Sequence, residues 1–350
     1  MAKKVVHIGM DLGSSKTSVV CSNGRRVVLP TAVGWPKDYV ARGLLGRDII
    51  FGKDIREHRR VLNVIQPFQK GVLKYLSGAD AGISDEQLEK HVEAAKLIVE
   101  HAVSLVDPPQ GIPVYGVIGA PGRASTRNKQ TLLEASKEAF DAVAIVSEPF
   151  TVAYGMMNLT DTLVVDIGAG TVDICPIYGM YPSDEEQVTI PMGGDLVDEE
   201  FHKRIQQAFP ETQLSLNMAR EIKEKYGFVH DVNESVVVTL AVDGRPLQFD
   251  VAEPLKEACK MMVSPIVQGL REAIARLDPE YQQRMLQNII LGGGGSQLGG
   301  LDRLIERSLE EFGGAKVTKV YDSMFAGAVG ALKLAMGMPP ESWNEIKAAA

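Results

Sequence analysis

Thr162-Leu163-Val164-Val165-Asp166-Ile167-Gly168-Ala169-Gly170-Thr171-Val172-Asp173-Ile174 is the stretch on which the fold turns. Its apolar run has the length and composition of a buried strand. The run ends in one acid, Asp166, then in residues almost without side chains, then in Thr171 and a second short strand. Glycines allow a tight hairpin and let backbone N–H groups approach a ligand closely. Such a loop can wrap phosphate oxygens, and an acid at its mouth can hold hydrated Mg²⁺. Taken alone, it is equally a Gly-rich hairpin with a half-exposed Asp.

A second copy stands near the N-terminus: Val5-Val6-His7-Ile8-Gly9-Met10-Asp11-Leu12-Gly13-Ser14-Ser15-Lys16-Thr17-Ser18-Val19-Val20. Strand, acid, apolar residue, glycine, two small residues and a threonine near the next strand recur in the same order. Two copies about half a chain apart imply two like halves facing across a cleft, with a nucleotide between them.

The bounds agree. The 350 residues are enough for two domains, and 45% hydrophobic with 23% charged residues is an ordinary globular composition. A net charge of −8 argues against a nucleic-acid surface. Cys21, Cys175 and Cys259 have no metal-ligand spacing and suit a reducing cytosol as buried thiols. No signal peptide and no apolar run of spanning length is expected, so direct membrane insertion is not.

Between the copies, residues 31 to 80 are mixed in character and read as an inserted subdomain. Ser84-Asp85-Glu86-Gln87 forms a capping box before a helix carrying Leu88, Val92, Ala95, Val99 and Ala102. Strands follow at 114–119 and 143–146, with a helix through Phe140 between them. Ser147-Glu148-Pro149 opens another helix. In the second half strands are expected at 162–167, 171–177 and 187–191. Gly193-Gly194-Asp195 leads into a helix, and a further helix over 218–226 closes at Gly227. Residues 235–242 and 246–251 read as a hairpin across Asp243-Gly244. One long helix from about 253 to 277 should be kinked by Pro265. The strand at 288–291 runs into Gly292-Gly293-Gly294-Gly295-Ser296, and helices follow at about 300–312 and 323–336. Alternating strands and helices indicate an α/β class.

No Walker A motif, no Rossmann glycine fingerprint and no histidine cluster is present. The candidate chemistry is phosphate with Mg²⁺. Glu148 opens a helix just after a strand, where a carboxylate is favoured by the helix dipole and could orient or deprotonate an attacking water. The bland alternative is a helix-terminal Glu. The four glycines at 292–295 are either a plain turn or a bare surface on which a flat group such as adenine packs.

Together these segments resemble the actin, sugar-kinase and heat-shock-chaperone ATPase superfamily. Asp11 to Thr17 is similar to its first phosphate loop and Asp166 to Thr171 to its second. Ser147-Glu148-Pro149-Phe150 resembles its connecting helix, and Leu291 to Ser296 its adenosine motif. Arg220-Glu221-Ile222-Lys223-Glu224-Lys225 is similar to the actin segment that touches the nucleotide, and Gly193-Gly194-Asp195 to the turn beside the ribose. Pro67-Phe68-Gln69-Lys70-Gly71-Val72 resembles an actin and MreB segment. The runs at 146–150, 165–175 and 286–290, with Pro339-Pro340-Glu341-Ser342-Trp343, most resemble the MamK group of bacterial actin-like proteins that organise magnetosome chains.

The resemblance implies an actin-like, ribonuclease H-like fold: domain I over 1–157 plus 323–350, domain II over 158–322, with inserts at about 31–80 and about 198–262. It implies an ATPase that assembles with itself into cytoplasmic, cytoskeletal filaments alongside magnetosome membranes and magnetosome-associated proteins. Asp11 and Asp166 would hold hydrated Mg²⁺, and Glu148 would position water. The backbone of Gly13, Ser14, Ser15, Gly168, Ala169 and Gly170 would cradle the phosphates of ATP or ADP, with Thr17 and Thr171 as hydroxyl donors. Gly194 and Asp195 would lie beside the ribose. Lys223, Glu224, Gly293, Gly294 and Ser296 would face adenosine. Lys16 lies nearer Asp11 than the phosphate-binding lysine of actin does, and stays outside the catalytic set.

Three rivals share the superfamily fold. A chaperone-type ATPase would need a substrate domain after the second half. A small-molecule kinase would need a sugar pocket and a catalytic Asp. An FtsA-type scaffold would carry an amphipathic membrane helix, for which residues 340–350 are too short and too weakly amphipathic.

Overall fold

Each copy of the acid-headed hairpin becomes the middle of a five-stranded sheet. The computed structural model describes residues 5–69, 72–73, 85–122, 124–231 and 235–349. The chain divides into two units, Met1–Leu159 with Met324–Ala350, and Thr160–Ser323.

In the first unit the strand order is Arg26–Pro30, Lys16–Cys21, Val6–Leu12, Val114–Ala120, Ala142–Ser147. The first three strands form an antiparallel meander, and the last two run parallel to Val6–Leu12. In the second unit the order is Val188–Ile190, Val172–Ile177, Thr162–Ile167, Ile289–Gly292, Val317–Lys319, with the same meander and the same parallel pair. The likeness reaches the register. Asp11 pairs with Ser18 on one side and Gly119 on the other; Asp166 pairs with Asp173 and Gly292. Every residue of Thr162–Ile167 and Val172–Ile177 is buried, as strands covered on both faces require.

Helices cover the sheets. In the first unit Asp85–Leu105 contributes Ala94, Ala95, Ile98, Val99 and Ala102 to the core. Ser84 of the expected capping box lies outside the described residues, as do Lys70 and Gly71. Helices Glu148–Gly155 and Ala326–Gly337 cross almost backbone to backbone: a Cβ on Gly330 would land on the Thr151 carbonyl, and one on Gly155 would sit 3.2 Å from Gly330 Cα. Gly9 meets Ala328 and Leu332 in the same way. The antiparallel pair Val33–Pro36 and Leu62–Ile65 frames a small separate core of Ala32, Ile50, Ile55 and Leu62.

Three expectations are corrected. The long helix is two helices, Ala252–Lys260 and Val263–Arg276, and the break precedes Pro265 rather than falling on it. A proline lacks the N–H and crowds the carbonyl four residues earlier, here that of Met261. Gly227 closes helix Leu216–Tyr226 with φ −60° and ψ 132°, not in the left-handed region. It is a glycine for space: a Cβ would stand 2.6 Å from the Lys223 carbonyl and 2.7 Å from Leu298. The segment after Arg276 holds an unanticipated helix, Pro279–Leu286, capped by the Asp278 side chain. The Asp243-Gly244 hairpin forms as expected, with φ of 47° and 77° at its two central residues. The C-terminal helix Pro340–Ala349 buries Trp343 against Tyr115.

Candidate phosphate loops and their supports

Both hairpin loops leave the sheet at the carboxyl ends of parallel strands, the edge where ligands bind in α/β folds. In the first unit Asp11 is half-buried, and burial pushes its carboxyl up to about 6. The start of helix Ala326–Gly337 lies against it, because a Cβ on Gly327 would come 2.8 Å from Asp11 Oδ2. Gly119, the register partner of Asp11, lies under Glu148: a Cβ there would meet Glu148 Cγ at 3.2 Å. Asp11 and Glu148 therefore occupy the same sheet edge of this unit. The carbonyl of Glu148 accepts from Thr151 Oγ1 at 2.7 Å.

The loop Gly13–Ser15 is tied down from behind. The Thr31 N–H donates to the Ser15 carbonyl at 2.9 Å, and the Thr17 and Thr31 hydroxyls bond each other at 2.8 Å. Thr17 is fully buried and belongs to the strand after the loop, not to the loop. The register explains why. Leu12 pairs with Thr17 where Ile167 pairs with Val172, so Thr171 matches Lys16 and Thr17 matches Val172. The likeness of the two threonines in sequence is off by one residue. Thr17 is placed as a core hydroxyl rather than a loop donor.

In the second unit the loop Gly168–Thr171 closes on itself, with the Gly168 N–H donating to the Thr171 carbonyl at 2.9 Å. Its first two carbonyls are engaged by helix Gly194–Ala208. Gly194 N–H donates to the Gly168 carbonyl at 3.0 Å, and Asp195 N–H to the Ala169 carbonyl at 2.8 Å. A trans peptide points its C=O and N–H in opposite directions. The N–H groups of Ala169 and Gly170 are thereby turned away from helix Gly194–Ala208, side by side. Adjacent N–H groups with a common direction make an anion-binding concavity. Gly193 must be glycine for this contact, since a Cβ would stand 2.6 Å from the carbonyl oxygens of both Gly168 and Ala169.

Asp166 is buried in the strand before this loop. Gly293, with φ of 70°, packs on it: a Cβ would come 2.5 Å from Asp166 Oδ1 and would overlap the Ile167 carbonyl. Gly294 is exposed with open space above its Cα. Ser296 is fully buried and donates to the Gly293 carbonyl at 2.7 Å, so its hydroxyl holds the glycine turn.

Asp195, Lys223 and Glu224 are placed less simply than the resemblance implies. Lys223 Nζ donates to the Gly194 carbonyl at 2.7 Å and pairs with Asp198 Oδ1 at 2.8 Å. Its ammonium is thus held at the Gly-Gly turn. The Asp195 carboxylate pairs with Arg220 at 2.7 Å, and Glu224 is exposed on the same helix as Arg220. Asp198 and Arg220 were not among the expected site residues. Their signal was spacing: Asp195 and Asp198 share one helix face, as do Arg220 and Lys223.

Comparisons with known proteins give the family and the fold. The family model described as MreB/Mbl protein matches residues 5–336. The actin-like protein MamK of Paramagnetospirillum magneticum strain AMB-1 is 38% identical over 345 residues, 99% of this chain and 96% of that protein. A MamK double helical filament superposes with a TM-score of 0.89 at 38% identity, covering 96% of this chain and 100% of that one. A non-polymerising MamK mutant bound to AMPPNP superposes with a TM-score of 0.72 at 39% identity, with the same coverage.

Proposed function

The chain belongs to the MreB/Mbl family of actin-like proteins, and from that premise we propose that it binds and hydrolyses ATP and assembles with copies of itself into cytoskeletal filaments. The observation that carries this reading is the pair of bonds from the Gly194 and Asp195 N–H groups to the Gly168 and Ala169 carbonyls, which by trans-peptide geometry turn the Ala169 and Gly170 N–H groups away from the helix. The two loop N–H groups supply donors for phosphate oxygens without any cationic side chain. Kinship with a protein solved as a double helical filament, and with one solved bound to AMPPNP, supports self-assembly and the nucleotide.

The acids fit a role with Mg²⁺. Asp11 and Asp166 offer hard oxygen donors at the carboxyl ends of parallel strands, and burial leaves Asp11 poorly solvated, a condition that a cation relieves. Mg²⁺, when bound, would neutralise charge on the transferring phosphoryl group. Glu148 orients or deprotonates the attacking water from its place beside Gly119. Gly13 to Ser15 and Gly168 to Gly170 hold the phosphates. Hydrolysis removes the γ-phosphate and the contacts it makes, so ATP favours assembly and ADP favours turnover. Among the described residues no helix is long and apolar enough to cross a membrane. By its kinship with MamK, the filament is proposed to lie in the cytoplasm and to position magnetosomes through magnetosome-associated proteins.

Right-angle light scattering after addition of Mg-ATP, with pelleting and negative-stain microscopy, tests the proposal. Filaments that form and decay as phosphate is released are expected, and AMPPNP should prolong them. ATP binding with no assembly at any salt or protein concentration would refute the filament reading. Asp166→Ala is expected to abolish phosphate release; wild-type turnover in that variant would remove Asp166 from the site.

A further inference from the structure

A four-residue charge network stands behind the second phosphate loop. Asp198, on helix Gly194–Ala208, is 2% exposed. Its Oδ2 accepts from Arg220 Nε at 3.0 Å and its Oδ1 pairs with Lys223 Nζ at 2.8 Å. Arg220 reaches on to Asp195 Oδ1 at 2.7 Å, and Lys223 to the Gly194 carbonyl at 2.7 Å. Two carboxylates thus meet two cations, and Arg220 spans both acids with one fork. The residues being gripped, Gly194 and Asp195, are the ones whose N–H groups hold the carbonyls of Gly168 and Ala169.

We infer that Asp198 and Arg220 are positioning residues for phosphate binding: by clamping the first turn of helix Gly194–Ala208 they fix the direction of the Ala169 and Gly170 N–H groups. The clamp acts through two links, the ion pairs and then the amide-to-carbonyl bonds, and neither side chain needs to touch the nucleotide. Loss of the Asp198 charge leaves Arg220 and Lys223 without their buried counterion. Lys223 is then drawn from the Gly194 carbonyl, the helix start shifts, and the loop N–H groups lose their common direction. A buried charge stripped of its partner is costly enough to drive such a rearrangement. A Cβ on Gly194 would stand 2.9 Å from Lys223 Nζ, so a side chain there would displace the ammonium from the clamp.

This inference rests on the proposed nucleotide site, and the experiment separates the two. Affinity for ATP and for adenosine is measured by calorimetry on the wild type, Asp198→Asn, Arg220→Gln and the double variant, with thermal unfolding of each without nucleotide. Adenosine has no phosphate, so it reports the rest of the site. Each single variant is expected to bind ATP about tenfold more weakly, the loss from misdirecting one charged hydrogen bond. Adenosine, which meets Lys223 and the Gly194–Asp195 turn but no loop N–H group, should lose affinity by a clearly smaller factor than ATP, and the double variant should be no weaker than either single one. Arg220→Lys, which keeps the charge but loses the fork, gives an intermediate loss and guards against a variant that fails to fold. An equal weakening of ATP and adenosine, or additive losses, would overturn the positioning role. A wild type that binds neither ligand would instead refute the nucleotide reading, and this inference with it.

Discussion

Glu148 Cγ lies 3.2 Å from the point where a Cβ on Gly119 would stand, and Gly119 is the strand partner of Asp11. The bare glycine leaves the space taken by the stem of the carboxylate proposed to handle the attacking water. Glu148→Ala is expected to keep ATP binding, to slow phosphate release by about 10²–10⁴-fold and to leave long-lived filaments. Gly119→Ala should push the Glu148 stem aside and slow release by about tenfold with little change in ATP affinity. A phosphate-release assay beside a binding titration decides both, and unchanged release in Glu148→Ala would sink the role.

Helices Glu148–Gly155 and Ala326–Gly337 have no room between them at Gly330. Gly330→Ala drives a methyl group onto the Thr151 carbonyl, which is backbone and cannot rotate away. A loss of about 3 kcal/mol in urea unfolding is expected. Gly294→Ala, with open space at its Cα, is the control and should leave the midpoint nearly unchanged.

All three cysteines are free and buried. Burial pushes the Cys259 thiol up to about 12 and raises Cys175 as well. Near pH 8 the thiolate of Cys259 is suppressed by roughly three orders of magnitude relative to an unfolded chain. Native protein should therefore resist thiol reagents, and labelling of Cys259 should track unfolding. Fast stoichiometric labelling under native conditions would contradict the packing described.

His101 stacks on Phe51 with ring centroids 4.1 Å apart, and burial lowers its pKa. The unfolded chain then binds the proton more tightly than the folded one. Stability from this group is present above the unfolded value of about 6.5 and is lost as pH falls through and below it. Urea midpoints at about pH 7.5 and about pH 5.5 should differ in the wild type, and the difference should shrink in His101→Leu. An unchanged difference would show that other groups carry the acid sensitivity.

The two acid-headed hairpins were legible because each is written locally: an apolar run, an acid, small residues and a return strand. The repetition also says that the two halves share one plan, while the strand order itself comes from the pairing. What the sequence concealed depends on partners far along the chain. Thr17 and Thr171 look equivalent in a linear reading, yet strand pairing assigns Thr17 to Val172. Ser296 reads as a ligand hydroxyl until its bond to Gly293 is seen. Asp198 and Arg220 are 22 residues apart and meet only when two helices pack. Pro279–Leu286 is short, and its Asp-Pro cap was the main local mark of it.

The grip of Gly194 and Asp195 on the carbonyls of Gly168 and Ala169 is made wholly of backbone hydrogen bonds within the chain. Ordering a flexible segment costs about 1–2 kcal/mol per residue in backbone entropy. For this loop that cost has been met during folding, so an arriving anion has little left to freeze. Recognition here should be fast and close to rigid, with the receptor shaped in advance by a neighbouring helix rather than moulded by its guest.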